Sequence, residues 1–95
     1  MNEAHLRGLV IAEAEKLRLM WSYTPDSRHD IGHRGRPDLL IAGPGGVIFA
    51  ELKAETGYPD ECQKLWLDLL GGQVWQPSDL HSGLIKAELA RLAMN

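Results

Sequence analysis

Between Glu3 and about Met20 the apolar residues Leu6, Leu9, Val10, Leu17 and Met20 return at helical spacing, while Arg7, Glu15, Lys16 and Arg18 fall largely on other faces. That pattern predicts an amphipathic first helix. Glu3 and Glu13 lie on the Leu6/Val10/Leu17 stripe, where a helix ordinarily carries apolar side chains. Either they turn towards a polar site or they reach solvent from the stripe's edge. Met20 to Tyr23 favours a strand, and Thr24, Pro25, Asp26 and Ser27 favour a turn. Asp38 to Ala42 and Val47 to Lys53 are apolar, β-prone runs joined by Gly43-Pro44-Gly45-Gly46, a hairpin in which Pro44 then Gly45 suits a type II turn. Pro59, Asp60 and Glu61 open a second helix, with Cys62, Leu65, Trp66, Leu69 and Leu70 as its expected core face and Gly71-Gly72 as its stop. Gln73 to Gln76 reads as a short strand cut off by Pro77. Ser78 or Asp79 then caps a last helix carrying Leu84, Ile85, Leu89 and Leu92. The expected order is α-β-β-β-α-β-α: an α/β fold with a mixed sheet of about four strands flanked by helices, and no internal repeat.

A chain of 95 residues supports a single core, so residues 1–95 are expected to form one domain, with a symmetric dimer as the commonest way to enlarge a site. No apolar stretch is long enough to cross a bilayer and the N-terminus has no basic, apolar leader, which leads to the expectation of a cytoplasmic protein. Cys62 is the only cysteine and has no partner at zinc-ligand spacing; it reads as a small helical core residue. The net charge of −3 argues against a broadly basic nucleic-acid surface. The stretch from Arg28 to Arg36, with Arg28, Arg34 and Arg36 against Asp30 and with Gly32 and Gly35 between, nevertheless provides a local basic loop.

Alternation along the second hairpin strand puts Val47, Phe49, Glu51 and Lys53 on one face and Ile48, Ala50 and Leu52 on the other. A turn centred between Pro44 and Gly45 sets Asp38 directly opposite Glu51, with β-carbons about 5 Å apart. Two facing carboxylates repel, and a divalent cation resolves that repulsion: Mg²⁺ or Mn²⁺ accepts one or two carboxylates, a backbone carbonyl such as that of Leu52, water and phosphate. Lys53 beside them can hold or deprotonate a water or neutralise charge growing on phosphorus. A salt-bridged strand end would use the same residues; the register and the extended approach imposed by Gly35-Arg36-Pro37 favour chemistry. Other motifs are weaker. The hairpin glycines lack the Gly-Lys-Ser/Thr and helix of a phosphate loop. His29, Asp30 and His33 have i, i+1, i+4 spacing, but the neighbouring glycines oppose a helix that would gather them on zinc. Trp66 and Trp75 fit packing better than base stacking, and neither Ser nor Cys62 has the setting of a nucleophile.

Gly35-Arg36-Pro37-Asp38-Leu39-Leu40-Ile41 followed by Val47-Ile48-Phe49-Ala50-Glu51-Leu52-Lys53 resembles the core of the PD-(D/E)XK nucleases, with their restriction-endonuclease-like fold. More narrowly it is similar to the VRR-NUC branch, in which a helix carrying a glutamine, here Gln63, follows the hairpin, with a strand like Gln73-Val74-Trp75-Gln76 after it. The resemblance runs from Glu3 to about Asp79. It implies a metal-dependent DNA endonuclease in which Asp38 and Glu51 bind the metal, Lys53 is the catalytic lysine, Gln63 orients groups near the site, and a glutamate early in the first helix, matched better by Glu3 than by Glu13, completes it. Asp26-Ser27-Arg28 resembles a stretch before the active-site hairpin of phage members, implying phosphate contact by Arg28; Arg34 and Arg36 join it as expected DNA contacts. Arg36 departs from the apolar or aromatic residue common at its position. Stand-alone members resemble homodimeric, structure-selective resolvases of branched DNA such as Holliday junctions. The competing readings are an inactive DNA-binding or assembly module on the same fold, and a small dimeric interaction protein whose acidic pair is structural.

Overall fold

A computed structural model describes residues 1–26 and 30–94. Helix α1 (Glu3–Lys16) leads into strands β1 (Met20–Tyr23), β2 (Leu39–Gly43) and β3 (Gly46–Leu52). They are followed by α2 (Glu61–Leu70), β4 (Gln73–Trp75), α3 (Pro77–His81) and α4 (Leu84–Ala93). The strands form one sheet in the order β1-β2-β3-β4, with β1/β2 and β2/β3 antiparallel and β3/β4 parallel. This is the mixed, helix-flanked α/β sheet the sequence predicts.

The last helix departs from expectation by dividing in two. Pro77 occupies the first turn of α3, and Asp79 accepts from the Gln76 N–H at 2.9 Å, so the cap sits at Gln76 and both expected caps lie inside the helix. Gly83, at φ 88°, then breaks the path into α4. α1 is also shorter than expected. Leu17 ends it, and Arg18 takes φ 58° so that the Arg18 and Leu19 N–H groups reach the Glu15 and Ala14 carbonyls, both at 3.0 Å. That is the Schellman arrangement, with an arginine where glycine is usual.

In the β2/β3 hairpin, Leu39 pairs with Ala50 and Gly43 with Gly46, the register expected from a Pro44-Gly45 turn. The turn itself is not type II. The positive φ, 132°, belongs to Gly46, and Gly45 serves a different purpose: its N–H donates to the Leu92 carbonyl at 2.8 Å. A β-carbon on Gly45 would lie 2.2 Å from the Arg91 carbonyl oxygen. Glycine therefore lets the hairpin tip dock against the end of α4.

The two sides of the sheet differ. Leu39, Ile41, Ile48, Ala50 and Leu52 meet Leu6, Val10 and Ala14 of α1 and Ile85, Leu89 and Leu92 of α4 in one buried cluster that also holds Trp75. Each leucine or isoleucine sealed there contributes about 1.5–3 kcal/mol of transfer free energy. The expected α1 stripe is corrected at its ends, since Leu9, Leu17 and Met20 are exposed and Ala14 and Leu19 take the buried places. α2 lies over the other side, where its expected core face is also corrected. Leu65 and Leu69 are 61% and 77% exposed, Cys62 and Trp66 are half-buried, and Leu67 alone among the helix's side chains is buried. The Trp66 indole N–H donates to the Arg34 carbonyl at 3.0 Å, so that side chain ties down the 30–37 segment.

Candidate active site

Alternation along β3 sends Ala50 and Leu52 into the core and Glu51 the other way, towards α2. Glu51 is only 2% exposed, the one buried charged residue among those described. The hairpin register continues one step past Leu39/Ala50 and brings Asp38 against it. The Asp38 N–H points at Glu51 Oε1 (3.3 Å), and the Leu52 N–H donates to Asp38 Oδ2 (3.0 Å). Asp38 is fixed from its other flank by the Thr24 N–H, which donates to its carbonyl at 2.8 Å. Lys53, one residue past the end of β3, sets its Nζ 3.5 Å from Glu51 Oε2.

Gln63 arrives from α2 by a local device. Asp60 caps the helix by accepting the Gln63 N–H, and the Asp60 N–H donates back to Gln63 Oε1, both at 2.9 Å: a capping box. With its oxygen so engaged, the amide presents Nε2 to Glu51 Oε2 at 3.0 Å. Gly35 makes this approach possible. It sits at φ 98°, and a β-carbon there would come 2.9 Å from Cys62 Cβ and 3.1 Å from the Gln63 nitrogen. The glycine is itself buried, and its lack of a side chain lets the chain pack against the start of α2.

Burial raises the Asp38 carboxyl above its ordinary range, against the opposing pull of the Leu52 N–H, Glu51, Lys53 and Arg7. Glu51 is pushed up to about 8, first by burial and then by the charge of Asp38, with Lys53 pulling the other way. Without a counter-cation the two carboxyls therefore retain a proton between them near neutral pH. Such a pair costs folding free energy that a divalent cation would recover by taking the proton's place. Among the described residues no group of three or more His, Cys, Asp or Glu side chains gathers at metal-binding distance. Two carboxylates supplemented by carbonyl, water and phosphate oxygens are, however, the hard donor set that Mg²⁺ and Mn²⁺ accept, so the residues present fit such an ion. Leu52 takes part through its N–H to Asp38.

The other expected residues are spread more widely. Glu3 is exposed in the first turn of α1, with no hydrogen bond or ion pair to Asp38, Glu51 or Lys53 among the described residues, and Glu13 pairs with Lys16 at 3.1 Å. Arg34 lines a cleft of about 220 Å³ beside Gly35, Asp38, Asp60 and Gln63. Arg36 is held by a two-point ion pair with Asp30. Arg28 and His29 lie outside the described residues, and His33 is exposed. Trp75 is fully buried, its indole N–H donating to Gln73 Oε1 at 2.9 Å.

Arg7 was not singled out by the sequence pattern, yet its charge reaches Asp38 and its guanidinium donates to the Tyr23 hydroxyl at 2.7 Å. The signal was present: position 7 stands one helical turn from Glu3 and from Val10, at the border of the same stripe that drew attention to the glutamates.

Neither a family model nor any curated protein matches this sequence. A solved structure described as a VRR_NUC domain protein does superpose on it, with a TM-score of 0.70 and 17% identity over 96% of this chain and 90% of the other. The chain accordingly has a VRR-NUC-like fold, a four-stranded mixed sheet flanked by helices, in which Asp38, Glu51, Lys53 and Gln63 meet at one end of the central hairpin.

Proposed function

We propose that this protein is a divalent-metal-dependent nuclease that hydrolyses phosphodiester bonds in DNA, and that it belongs with the PD-(D/E)XK enzymes. The observation that carries the reading is the buried meeting of Asp38 and Glu51 with Lys53 beside them, an arrangement that costs folding free energy and is characteristic of charge-handling sites. The fold shared with a protein named for a VRR_NUC domain supports it.

Asp38 and Glu51 would hold Mg²⁺ or Mn²⁺, with the Leu52 carbonyl as the backbone donor expected from the sequence; the ion would supply Lewis-acid activation and a template for water and phosphate. Gln63 keeps the Glu51 carboxylate turned towards Asp38. Lys53 orients the attacking water and offsets the negative charge that grows on the phosphoryl oxygens. Arg34, at the cleft, receives the DNA backbone. The Arg28 and Arg36 contacts implied by the family resemblance are part of the same proposal, Arg36 acting once released from Asp30. The reading extends to residues 1–95 acting as one domain and to a cytoplasmic setting, in line with the finding that no described helix is long and apolar enough to cross a membrane. It also includes a homodimer, for which the exposed Leu65 and Leu69 provide apolar area, with branched DNA such as a Holliday junction as preferred substrate.

A panel of labelled junction, flap, nicked and linear duplex DNAs, incubated with Mg²⁺ or Mn²⁺, tests it. Wild-type protein cuts at least one, while Asp38→Ala and Lys53→Ala lose about 10³-fold or more and remain folded. Equal cutting by the variants would remove the assignment, and binding without cutting by the wild type would leave a DNA-binding module.

A further inference from the structure

α2 brings Gln63 to Glu51; on the other side of the sheet, α1 holds Arg7 against Tyr23, whose partner Leu39 follows Asp38 at the same end of the sheet. Arg7 follows the fully buried Leu6 and is itself half-buried. Its position is fixed twice over: one guanidinium nitrogen donates to the Tyr23 hydroxyl at 2.7 Å, and the guanidinium carbon lies 4.3 Å from the centroid of the Tyr23 ring. Tyr23 pairs with Leu39, the residue after Asp38, and its other neighbour Thr24 donates to the Asp38 carbonyl. Arg7 is thus anchored to the backbone that flanks Asp38.

We propose that Arg7, steered by Tyr23, is a substrate-contacting residue whose guanidinium takes a nonbridging oxygen of the phosphate placed at Asp38, Glu51 and Lys53. The inference rests on the hydrolase reading and adds to it the group that meets the phosphate from the α1 side. Three observations carry it. Stacking and the phenol bond remove the rotational freedom that an arginine otherwise loses on binding, so its planar fork is set before substrate arrives. The remaining donors have no acceptor among the described residues, and Glu3, one helical turn away, does not take them. Of the other cations nearby, Lys53 is engaged with Glu51 and Arg36 with Asp30, while Arg34 stands exposed in the cleft on the α2 side. A site built on two carboxylates repels a polyanion, and a poised guanidinium is the residue type suited to reversing that locally.

Duplex binding measured by fluorescence anisotropy in EDTA across a salt series tests the contact without any cutting. Arg7→Gln is expected to lower the slope of log K against log salt by about 0.9, the signature of one lost phosphate contact. With Mg²⁺ present it should lower kcat/KM about 10²-fold. Arg7→Lys keeps the charge and the slope but not the fork, and should recover only part of the rate. Tyr23→Phe keeps the slope and loses less activity than Arg7→Gln. If Arg7 only staples α1 to β1, Arg7→Gln and Tyr23→Phe will lower the melting temperature alike, the slope will not change, and Arg7→Lys will cut as the wild type does; that result overturns the proposal. Wild-type protein that cuts DNA beside an equally active Arg7→Gln sinks this assignment alone, whereas wild-type protein that neither binds nor cuts takes the hydrolase reading with it.

Discussion

On the α1/α4 side of the sheet, Leu6, Val10, Ala14, Ile85, Leu89 and Leu92 are sealed from solvent, while on the α2 side Leu65 and Leu69 stand open and the buried residue facing the helix is a glutamate. Both sides draw on the same strand, for Ala50 and Leu52 go into the first and Glu51 goes towards the second. The apolar side supplies the stability, which lets the other carry a carboxyl pair that repels itself. α2 is held less by apolar packing than by polar ties: the capping box at Asp60, the Gln63 amide on Glu51, and the Trp66 bond to the Arg34 carbonyl. A helix attached in this way positions chemistry without sealing it off.

The contrast can be broken first by truncation. Leu89→Ala on the closed side should cost about 2–5 kcal/mol in urea unfolding, and Leu69→Ala on the open helix should stay within about 0.5 kcal/mol. Comparable losses would mean that α2 buries more than its exposure indicates.

A comparable effect comes from protons. Below the ordinary glutamate value of 4.5, both folded and unfolded chains hold the Glu51 proton; between there and about 8 only the folded chain does. The stability that this proton confers is therefore complete at low pH and is lost as pH rises through about 8, with a slope approaching about 1.4 kcal/mol per unit. In EDTA, the difference in thermal stability between wild type and Glu51→Gln should widen in favour of the variant from pH 5 to 9. A constant difference would show that Glu51 is ionised throughout.

Smallest is Gly35→Ala, about 1–2 kcal/mol for the positive φ. It should reduce cutting more than stability, because the methyl pushes against Cys62 and Gln63 while the α1/α4 core is untouched. Parallel losses would place Gly35 in the general fabric of the fold.

Much of this was legible in advance. The Pro44-Gly45 turn pinned the hairpin register, and with it the meeting of Asp38, Glu51 and Lys53, because a two-residue period leaves each strand residue only one side to face. The α2 core face was not legible: helical spacing marks which residues share a stripe, but not whether a neighbour exists to cover it. The division of the last helix was hidden for a related reason, since Asp79 caps from inside α3 and its role depends on Gln76 preceding Pro77. Spacing places Arg7 at the border of the α1 stripe but does not reveal its phenolic partner, which lies on β1 across a tertiary contact.

Titration with Mn²⁺ at pH 7.5, followed by calorimetry, reaches the central claim most directly. Wild-type protein should bind the ion at a site that Asp38→Asn and Glu51→Gln each abolish, and should release protons as the ion displaces the one the carboxyls share. A wild-type chain that takes up no Mn²⁺, or variants that bind it equally well, would contradict the account.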